Sequence, residues 1–326
     1  MAAIRYLETF QIVGGWGKTS IIQSSQASVE ENCRRDGLLQ EMRDFVAFHS
    51  GGNGLVVTYE AIEDCFSDLP GVRTGHFNKI AGLDTFGDVC SLFVIGRPLP
   101  RPEVHRSMVL ALTGRPIPDE TPHQESRGQR MADGTTTTLQ IRAYADPDLE
   151  ALRVAITDAA VLQAAGRGRA VNRTAETPLS LFILADVVVP MPVKRITRWG
   201  DVRLSPPQRM AARGMVTDSP ADAWRLYPEL FPSAEAAKKA LQRGISVTFP
   251  YDSLFIGECP RNTPLEGLLR RLGTWEQVGI KPPGIGWAIS HHSPHCHPLL
   301  RRQPHIRPPC DALDRHRHHH VSQDEQ

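Results

Sequence analysis

The chain has 326 residues, and its 37 lysines and arginines nearly balance its 36 aspartates and glutamates, which gives a formal net charge of +1. This balance excludes a strongly basic nucleic-acid coat and an acidic solvating tail, so any contact with nucleic acid has to come from local patches. The six cysteines form no C-x-x-C pair, unlike those of a zinc ribbon. The longest apolar run is too short to cross a membrane, and we expect a cytoplasmic protein without a membrane partner.

The first part of the chain alternates helical patterns with apolar runs. Residues 37–50 place apolar side chains at three- and four-residue spacing, which predicts an amphipathic helix. The run LVVTY at 55–59 predicts a strand buried on both faces, and SLFVIGR at 91–97 predicts a second one. A short strand is expected between them at 72–77.

The same alternation continues further along the chain. Residues 115–136 carry turn formers and charges without a period, which predicts a loop. An alternating strand follows at 138–144, and a helix runs from its cap at Asp146 to about Ala165. The run LSLFILADVVV at 179–189 is the third buried strand. Strands that alternate with helices predict an α/β fold with a mainly parallel sheet and flanking helices.

The composition changes after residue 190. Residues 194–213 hold six basic side chains and a single aspartate, and SAEAAKKALQR predicts a helix at 233–243. The last part of the chain is rich in proline, histidine and arginine without an apolar period, which predicts a disordered tail. Its histidines lack neighbouring carboxylates, so we expect no metal site.

These patterns divide the chain into four segments. A lead segment precedes an α/β domain, which is followed by a basic, partly helical region and an irregular tail. Their predicted bounds are 1–36, 37–190, 191–287 and 288–326.

The strongest local signal is the run QAAGRGRAVNR at residues 163–173. It follows a predicted helix, precedes a buried strand, and holds three arginines and no acid. Guanidinium groups bind phosphate oxygens through two parallel hydrogen bonds, and glycines let the backbone come close to a ligand. The run therefore favours a phosphate-binding role, with a solvated helix end as the alternative.

This run, as Q-x-x-G-R-x-R, resembles motif VI of superfamily 2 helicases. The segment AGLDTFGDV at 81–89, ahead of SLFVIGR, is similar to motif V, and LVVTYEAI at 55–62 is similar to the motif IV strand that opens the second RecA-like domain. The three occur in the order found in the family. Residues 37–190 as a whole resemble the C-terminal half of prophage-type helicases and primase-helicases.

The resemblance implies roles for ten residues. In this family, motif VI arginines face the γ-phosphate of ATP across a cleft between two RecA-like domains, where they stabilise the charge that develops in phosphoryl transfer. The residues with this implied catalytic role are Arg167, Arg169 and Arg173. Those implied to bind the nucleotide, or to couple it to the nucleic-acid groove, are Gln163, Gly166, Gly82 and Asp84. Those implied to contact nucleic acid are Thr58, His76 and Asn78.

A helicase also needs a P-loop and a Walker B acid in its first RecA-like domain. The run GGWGKTS at 14–20 ends in the required G-K-T, but Ile12 occupies the position of a required glycine. The run LFILAD at 181–186 imitates a Walker B strand, although a core strand that ends in an acid is the simpler interpretation. No first RecA-like domain fits ahead of residue 37, so we expect it to be encoded upstream.

The sequence therefore predicts the C-terminal half of a nucleic-acid-dependent ATPase of DNA helicase type, inactive alone. ATP and Mg²⁺ are expected only with the partner P-loop domain, and DNA is the expected macromolecular partner. Two alternatives stay open. A non-catalytic nucleic-acid-binding remnant would use the basic residues at 167–173 and 194–213, and a self-contained P-loop ATPase would use Lys18 and Thr19.

Overall fold

The computed structural model describes residues 5–80, 86–242, 275–280 and 284–289. Gly82 and Asp84 lie outside these ranges, and so does the predicted tail apart from its first two residues. Within the described ranges, no helix combines the length and the apolar character needed to cross a membrane.

The described residues contain eleven strands. In chain order these are β1 (Leu7–Val13), β2 (Gly54–Thr58), β3 (Val72–His76), β4 (Ser91–Ile95), β5 (His123–Arg130), β6 (Thr136–Ala143), β7 (Leu179–Leu184), β8 (Arg195–Arg198), β9 (Met215–Thr217), β10 (Trp275–Ile280) and β11 (Gly284–Ile289). The helices are α1 (Lys18–Ile21), α2 (Val29–His49), α3 (Glu60–Glu63), α4 (Pro102–Thr113), α5 (Pro147–Gly166), α6 (Trp199–Val202), α7 (Pro206–Ala212), α8 (Pro220–Leu226) and α9 (Ala234–Gln242). Short 3-10 turns occur at Asp64–Phe66 and Ala170–Asn172.

Six of the strands form one parallel sheet in the order β3-β2-β4-β7-β1-β8. Every residue of β2, β4 and β7 is buried, because each of these strands has neighbours on both sides and helices pack over the sheet. Phe45 of α2 meets the rings of Phe93 and Phe182 at 6.3 and 5.8 Å between centroids. The α/β class and the three buried strands are confirmed.

Two strands of the sheet lie outside residues 37–190. Strand β1 comes from the predicted lead segment and lies between β7 and β8, with Phe10 opposite Phe182 on one side and Arg195 on the other. Because β1 has the sequence LETFQIV, with polar residues at three positions, it does not form a continuous apolar run. Gln11 is fully buried, and its amide donates to the carbonyls of Ala185 and Val187 at 3.0 and 2.6 Å.

The predicted loop at 115–136 is wrong over residues 123–130. Residues 123–130 form β5, which pairs antiparallel with β6 in a hairpin. The hairpin turns at Gly134, whose φ is +87°, and the Asp133 carboxylate accepts from the Thr135 amide at 2.9 Å. The sequence HQESRGQR does not predict a strand, because it has no alternation of apolar and polar residues. The strand is stabilised by its backbone pairing with β6.

The region after the sheet packs against α2. Asp44 of α2 accepts hydrogen bonds from Arg209 at 2.6 Å and from Arg213 at 2.9 and 3.0 Å. The predicted helix at 233–243 is confirmed as α9, and the Ser233 hydroxyl accepts from the Ala236 amide at 3.1 Å. Strands β9, β11 and β10 form a small antiparallel sheet.

Candidate functional site

The arginine run lies at the amino edge of the parallel sheet. Asp146 caps the start of helix α5, and its carboxylate accepts from two backbone amides at 3.0 Å. The helix ends at Gly166, and Arg167 is its C-cap residue. The chain then enters β7 at Leu179. Since parallel strands begin at the same edge, the run also lies near the start of β4, the neighbour of β7.

Residues 86–89, the end of the segment similar to motif V, and the following Cys90 lie beside this run. A Cβ placed on Gly87 would lie 2.9 Å from Cδ of Arg169. The Ser180 amide donates to the Cys90 carbonyl at 3.0 Å. Asp88 binds Arg73 at 2.7 Å, and this hydrogen bond lowers the pKa of the Asp88 carboxyl. The segments similar to motifs V and VI are thus side by side, although Gly82 and Asp84 are outside the described residues.

The three arginines of the run differ in exposure. Arg173 is buried, and its Nε and one terminal nitrogen donate to the Gly168 carbonyl at 2.9 and 2.6 Å. Burial lowers the pKa of Arg173. Arg167 is half-buried, and Arg169 is exposed with a left-handed φ of 47°. Arg173 therefore holds the turn together, while the Arg169 side chain is exposed at the surface.

Glycine at 168 is required by packing. A Cβ at this position would lie 2.4 Å from Cδ2 of Leu179, the buried first residue of β7. Gln163 and Gly166 are exposed on the last turn of α5, where a Cβ on Gly166 would meet nothing within 4 Å. The two glycines of G-R-G thus have different environments.

The residues with an implied nucleic-acid role lie at the opposite, carboxyl edge. Thr58 is fully buried, and its hydroxyl donates to the Ile95 carbonyl at 3.2 Å. His76 is half-buried against Glu63, to which its Nδ1 is paired. Asn78 is exposed with a φ of 72°. Of these three residues, only Asn78 has an exposed side chain.

The loop that imitates a P-loop is also at the carboxyl edge, after β1. The amides of Gly14, Gly15 and Trp16 donate to the Asp186 carboxylate at 2.8, 2.8 and 2.9 Å. Consecutive amides of this kind bind phosphate in true P-loops, but here they hold an internal anion. Lys18 is exposed, with its Nζ 5.5 Å from the ring centroid of Tyr59.

Two residues that sequence patterns did not single out, Tyr59 and Arg97, join the carboxyl ends of β2 and β4. The Tyr59 hydroxyl accepts from the Arg97 amide at 2.9 Å and lies 2.9 Å from its carbonyl oxygen; burial raises the pKa of Tyr59. From β2 and β4 the chain continues toward opposite ends of the sheet, and such points are common ligand sites in open parallel sheets. The position of Arg97 directly after a buried run was the available signal.

Comparison with protein-family models, curated proteins and solved structures gives no match. In the described part of the chain, no group of three or more histidine, cysteine, aspartate or glutamate side chains is placed to hold a metal ion. The function of this chain is therefore inferred from the geometry and from the resemblance of the motifs.

Proposed function

We propose that this chain provides the second RecA-like domain of a nucleic-acid-dependent ATPase of helicase type. Its substrate nucleotide, with Mg²⁺, would be held by a P-loop domain encoded upstream. The observation that carries the proposal is the meeting of residues 163–169 with residues 86–90 at the amino ends of β4 and β7. The two segments that resemble motifs V and VI are 74 residues or more apart in the chain. They come together because β4 and β7, which they precede, are adjacent and parallel, and this proximity supports a shared function.

The chemistry assigned to the arginines is charge stabilisation. A guanidinium placed against the transferred phosphoryl group stabilises the transition state and is worth about 10³- to 10⁵-fold in rate. Arg169 is the better candidate because it is exposed, and Arg167 at the helix end is the second. Arg173 would act indirectly, since its guanidinium holds the Gly168 carbonyl that shapes the turn.

The contact between Asp186 and the loop at 14–16 argues against the self-contained P-loop ATPase. A nucleotide phosphate at these amides would have to displace three hydrogen bonds and then lie beside a carboxylate. A self-contained P-loop ATPase would therefore have to bind a negatively charged phosphate beside the negatively charged Asp186 carboxylate, which repels it.

A second candidate function is nucleic-acid binding without catalysis. The basic region at 194–213 supports it only weakly, because several of its basic side chains are paired with carboxylates. Lys194 pairs with Glu8, Arg203 pairs with Glu41, and Arg209 and Arg213 both pair with Asp44. Arginines that already have a carboxylate partner attract phosphate less than solvated ones do. The test is the salt dependence of binding to single-stranded DNA, because each phosphate contact steepens it.

The proposed function is tested by steady-state ATP hydrolysis with single-stranded DNA. We expect no turnover by the chain alone, and turnover after addition of the separately produced P-loop domain. Arg169→Gln or Arg167→Gln should then lower the rate, by about 10³-fold for the residue that acts as the finger. Arg225→Gln, at an exposed position on α8, is the matched control.

Two results would contradict the proposal. One is turnover by the isolated chain that Lys18→Ala abolishes, which would favour the P-loop alternative. The other is a reconstituted activity that both arginine substitutions leave unchanged.

A further inference from the structure

The two faces of the β5–β6 hairpin have different compositions. Because residues paired across antiparallel strands point to the same side, the register of the hairpin assigns each residue to one face. On the inner face, the apolar residues of β6 are buried and pack against Val13, Val188 and Ile196. The hairpin therefore covers the end of β1, the chain after β7 and strand β8, and its other face points away from the sheet.

The outer face of the hairpin is polar along its whole length. It consists of four residue pairs, and all eight residues are exposed. From the open end to the turn, the pairs are Gln124 with Arg142, Ser126 with Gln140, Gly128 with Thr138, and Arg130 with Thr136. The outer face therefore offers two guanidinium groups, two amides and three hydroxyls, and it contains no acid and no aromatic ring.

The carboxylates of the hairpin lie elsewhere. Glu125 belongs to the inner face and pairs with Arg127 at 3.0 Å. Asp133 lies in the turn, where it accepts from the amide and the hydroxyl of Thr135 at 2.9 and 2.7 Å. Among the described residues, neither arginine of the outer face has a carboxylate partner. Their positive charge is therefore not neutralised locally, and it attracts an anion.

The two arginines lie at opposite ends of the outer face. Six positions along β5 separate Arg130 from Gln124, the partner of Arg142, which corresponds to about 20 Å at 3.4 Å per residue. One terminal nitrogen of Arg142 donates to the Pro122 carbonyl at 3.0 Å, which holds this side chain at the open end. Amides and hydroxyls fill the distance between the two charges.

The chemistry of the outer face fits duplex DNA better than other macromolecules. Protein partners bind through buried aromatic and apolar anchors, and single strands stack their bases on aromatic rings; the outer face has neither. Glutamine, serine, threonine and arginine are the side chains that bind phosphates and base edges in duplex DNA. The major groove of B-DNA is about 12 Å wide and admits a two-stranded ribbon, whereas that of duplex RNA is too narrow.

We propose that the outer face of the β5–β6 hairpin binds the major groove of duplex DNA. Arg130 and Arg142 bind phosphates at the two ends of the ribbon, and Ser126, Thr138 and Gln140 face the base edges between them. This surface is separate from the arginine run at the amino edge of the sheet. Binding here needs neither ATP nor a second domain, so it goes beyond the proposed ATPase.

The test is fluorescence anisotropy of the full chain, without nucleotide, on a labelled DNA duplex of about 20 base pairs and on one of its strands alone. We expect the duplex to bind more tightly than the single strand. Arg130→Gln and Arg142→Gln should each weaken duplex binding at least about threefold and reduce the salt dependence of log Kd by about 1, since each removes a phosphate contact. Arg34→Gln, at an exposed position on α2, is the matched control and should change neither quantity.

A glutamate placed on each face in turn separates direct contact from net charge. Thr137 and Thr138 are adjacent and exposed, but Thr138 points to the outer face and Thr137 to the inner one. Thr138→Glu should weaken duplex binding at least about tenfold, because it places a carboxylate against the DNA. Thr137→Glu changes the net charge equally and should weaken binding less than about threefold. Both variants should keep the thermal midpoint of the wild type to within about 0.5 kcal/mol of stability, since both positions are exposed.

Three results would overturn the proposal. One is an equal effect of Thr138→Glu and Thr137→Glu on duplex binding. Another is tighter binding to the single strand than to the duplex, which would assign the surface to unpaired DNA or to none. The third is no duplex binding at about 50 mM salt. None of these results bears on the proposed ATPase, which is tested by hydrolysis with the P-loop domain.

Discussion

The amide of Gly15 donates a hydrogen bond to the Asp186 carboxylate over 2.8 Å, although 171 positions separate the two residues in the chain. The neighbouring amides of Gly14 and Trp16 bind the same carboxylate. Because β1 and β7 are adjacent and parallel, the loop after β1 and the acid after β7 meet at one edge of the sheet. The Asp186 carboxylate holds the loop against the sheet. It binds the amides to which a true P-loop would bind the phosphate of a nucleotide.

We expect Asp186→Ala to destabilise the protein by about 2 kcal/mol, since three amide hydrogen bonds to a charged acceptor are lost. Urea unfolding followed by circular dichroism measures this change. Asp201→Ala is the control, because Asp201 is exposed on α6 and its loss should change stability by less than about 0.5 kcal/mol. Equal effects of the two substitutions would show that the Asp186 contact adds nothing to stability.

The two glycines of the G-R-G run should respond differently to alanine. Gly168→Ala places a methyl group 2.4 Å from a buried Leu179 carbon, so the core has to shift, and we expect a loss of about 1–3 kcal/mol. Gly166→Ala meets no atom within 4 Å at a helical position and should be neutral or stabilising by up to about 1 kcal/mol. The comparison is made by denaturant unfolding. A similar loss in both variants would contradict the packing role of Gly168.

Continuous apolar runs made the centre of the fold predictable. Strands β2, β4 and β7 could be predicted because strands buried on both faces need apolar side chains along their whole length. A short strand at 10–13 is suggested by FQIV, but the place of β1 inside the sheet could not be predicted, since buried Gln11 depends on two carbonyl acceptors that only the folded chain supplies. Strand β5 is polar and depends on its partner β6.

The candidate site was predictable in composition but not in arrangement. The arginine run could be read from its residue types, and its position before a strand placed it at the amino edge. The separate environments of Arg169 and Arg173 depend on a turn closed by the Gly168 carbonyl. The partnership of Asp186 with the loop at 14–16 depends on which strands are neighbours, and no local pattern encodes that.

Two arginines with the same sequence relation to an acid should differ in their contribution to stability. Arg153 and Glu150 form an i,i+3 pair with side chains 3% and 9% exposed, whereas the Arg225 side chain in the i,i+3 pair with Asp222 is 61% exposed. Arg153→Gln leaves a buried carboxylate with Arg127 as its remaining charged partner, and we expect a loss of about 3 kcal/mol. Arg225→Gln should cost less than about 1 kcal/mol. Equal costs in urea unfolding would show that burial does not set the value of the Arg153 pair.

His49 should make the protein less stable in acid. It lies at the end of α2, 8% exposed, with its ring 4.4 Å from that of Phe45 and 5.5 Å from that of Phe182. Burial lowers the pKa of His49 from its ordinary value to about 3, while in the unfolded chain the pKa stays near 6.5. The stability that the neutral ring provides is therefore complete above about pH 6.5.

Below that pH the unfolded chain takes up a proton that the folded chain cannot, so the free energy of unfolding falls as the pH drops toward 3. The expected slope from this residue is about 1.4 kcal/mol per pH unit. Urea unfolding at a series of pH values between 7.5 and about 4 measures it, and His49→Phe should have a flatter profile than the wild type. His123→Phe, at an exposed position on β5, is the matched control and should keep the wild-type slope. Because carboxylates titrate equally in all three proteins, identical slopes for the wild type and His49→Phe would mean that His49 is protonated in the folded chain.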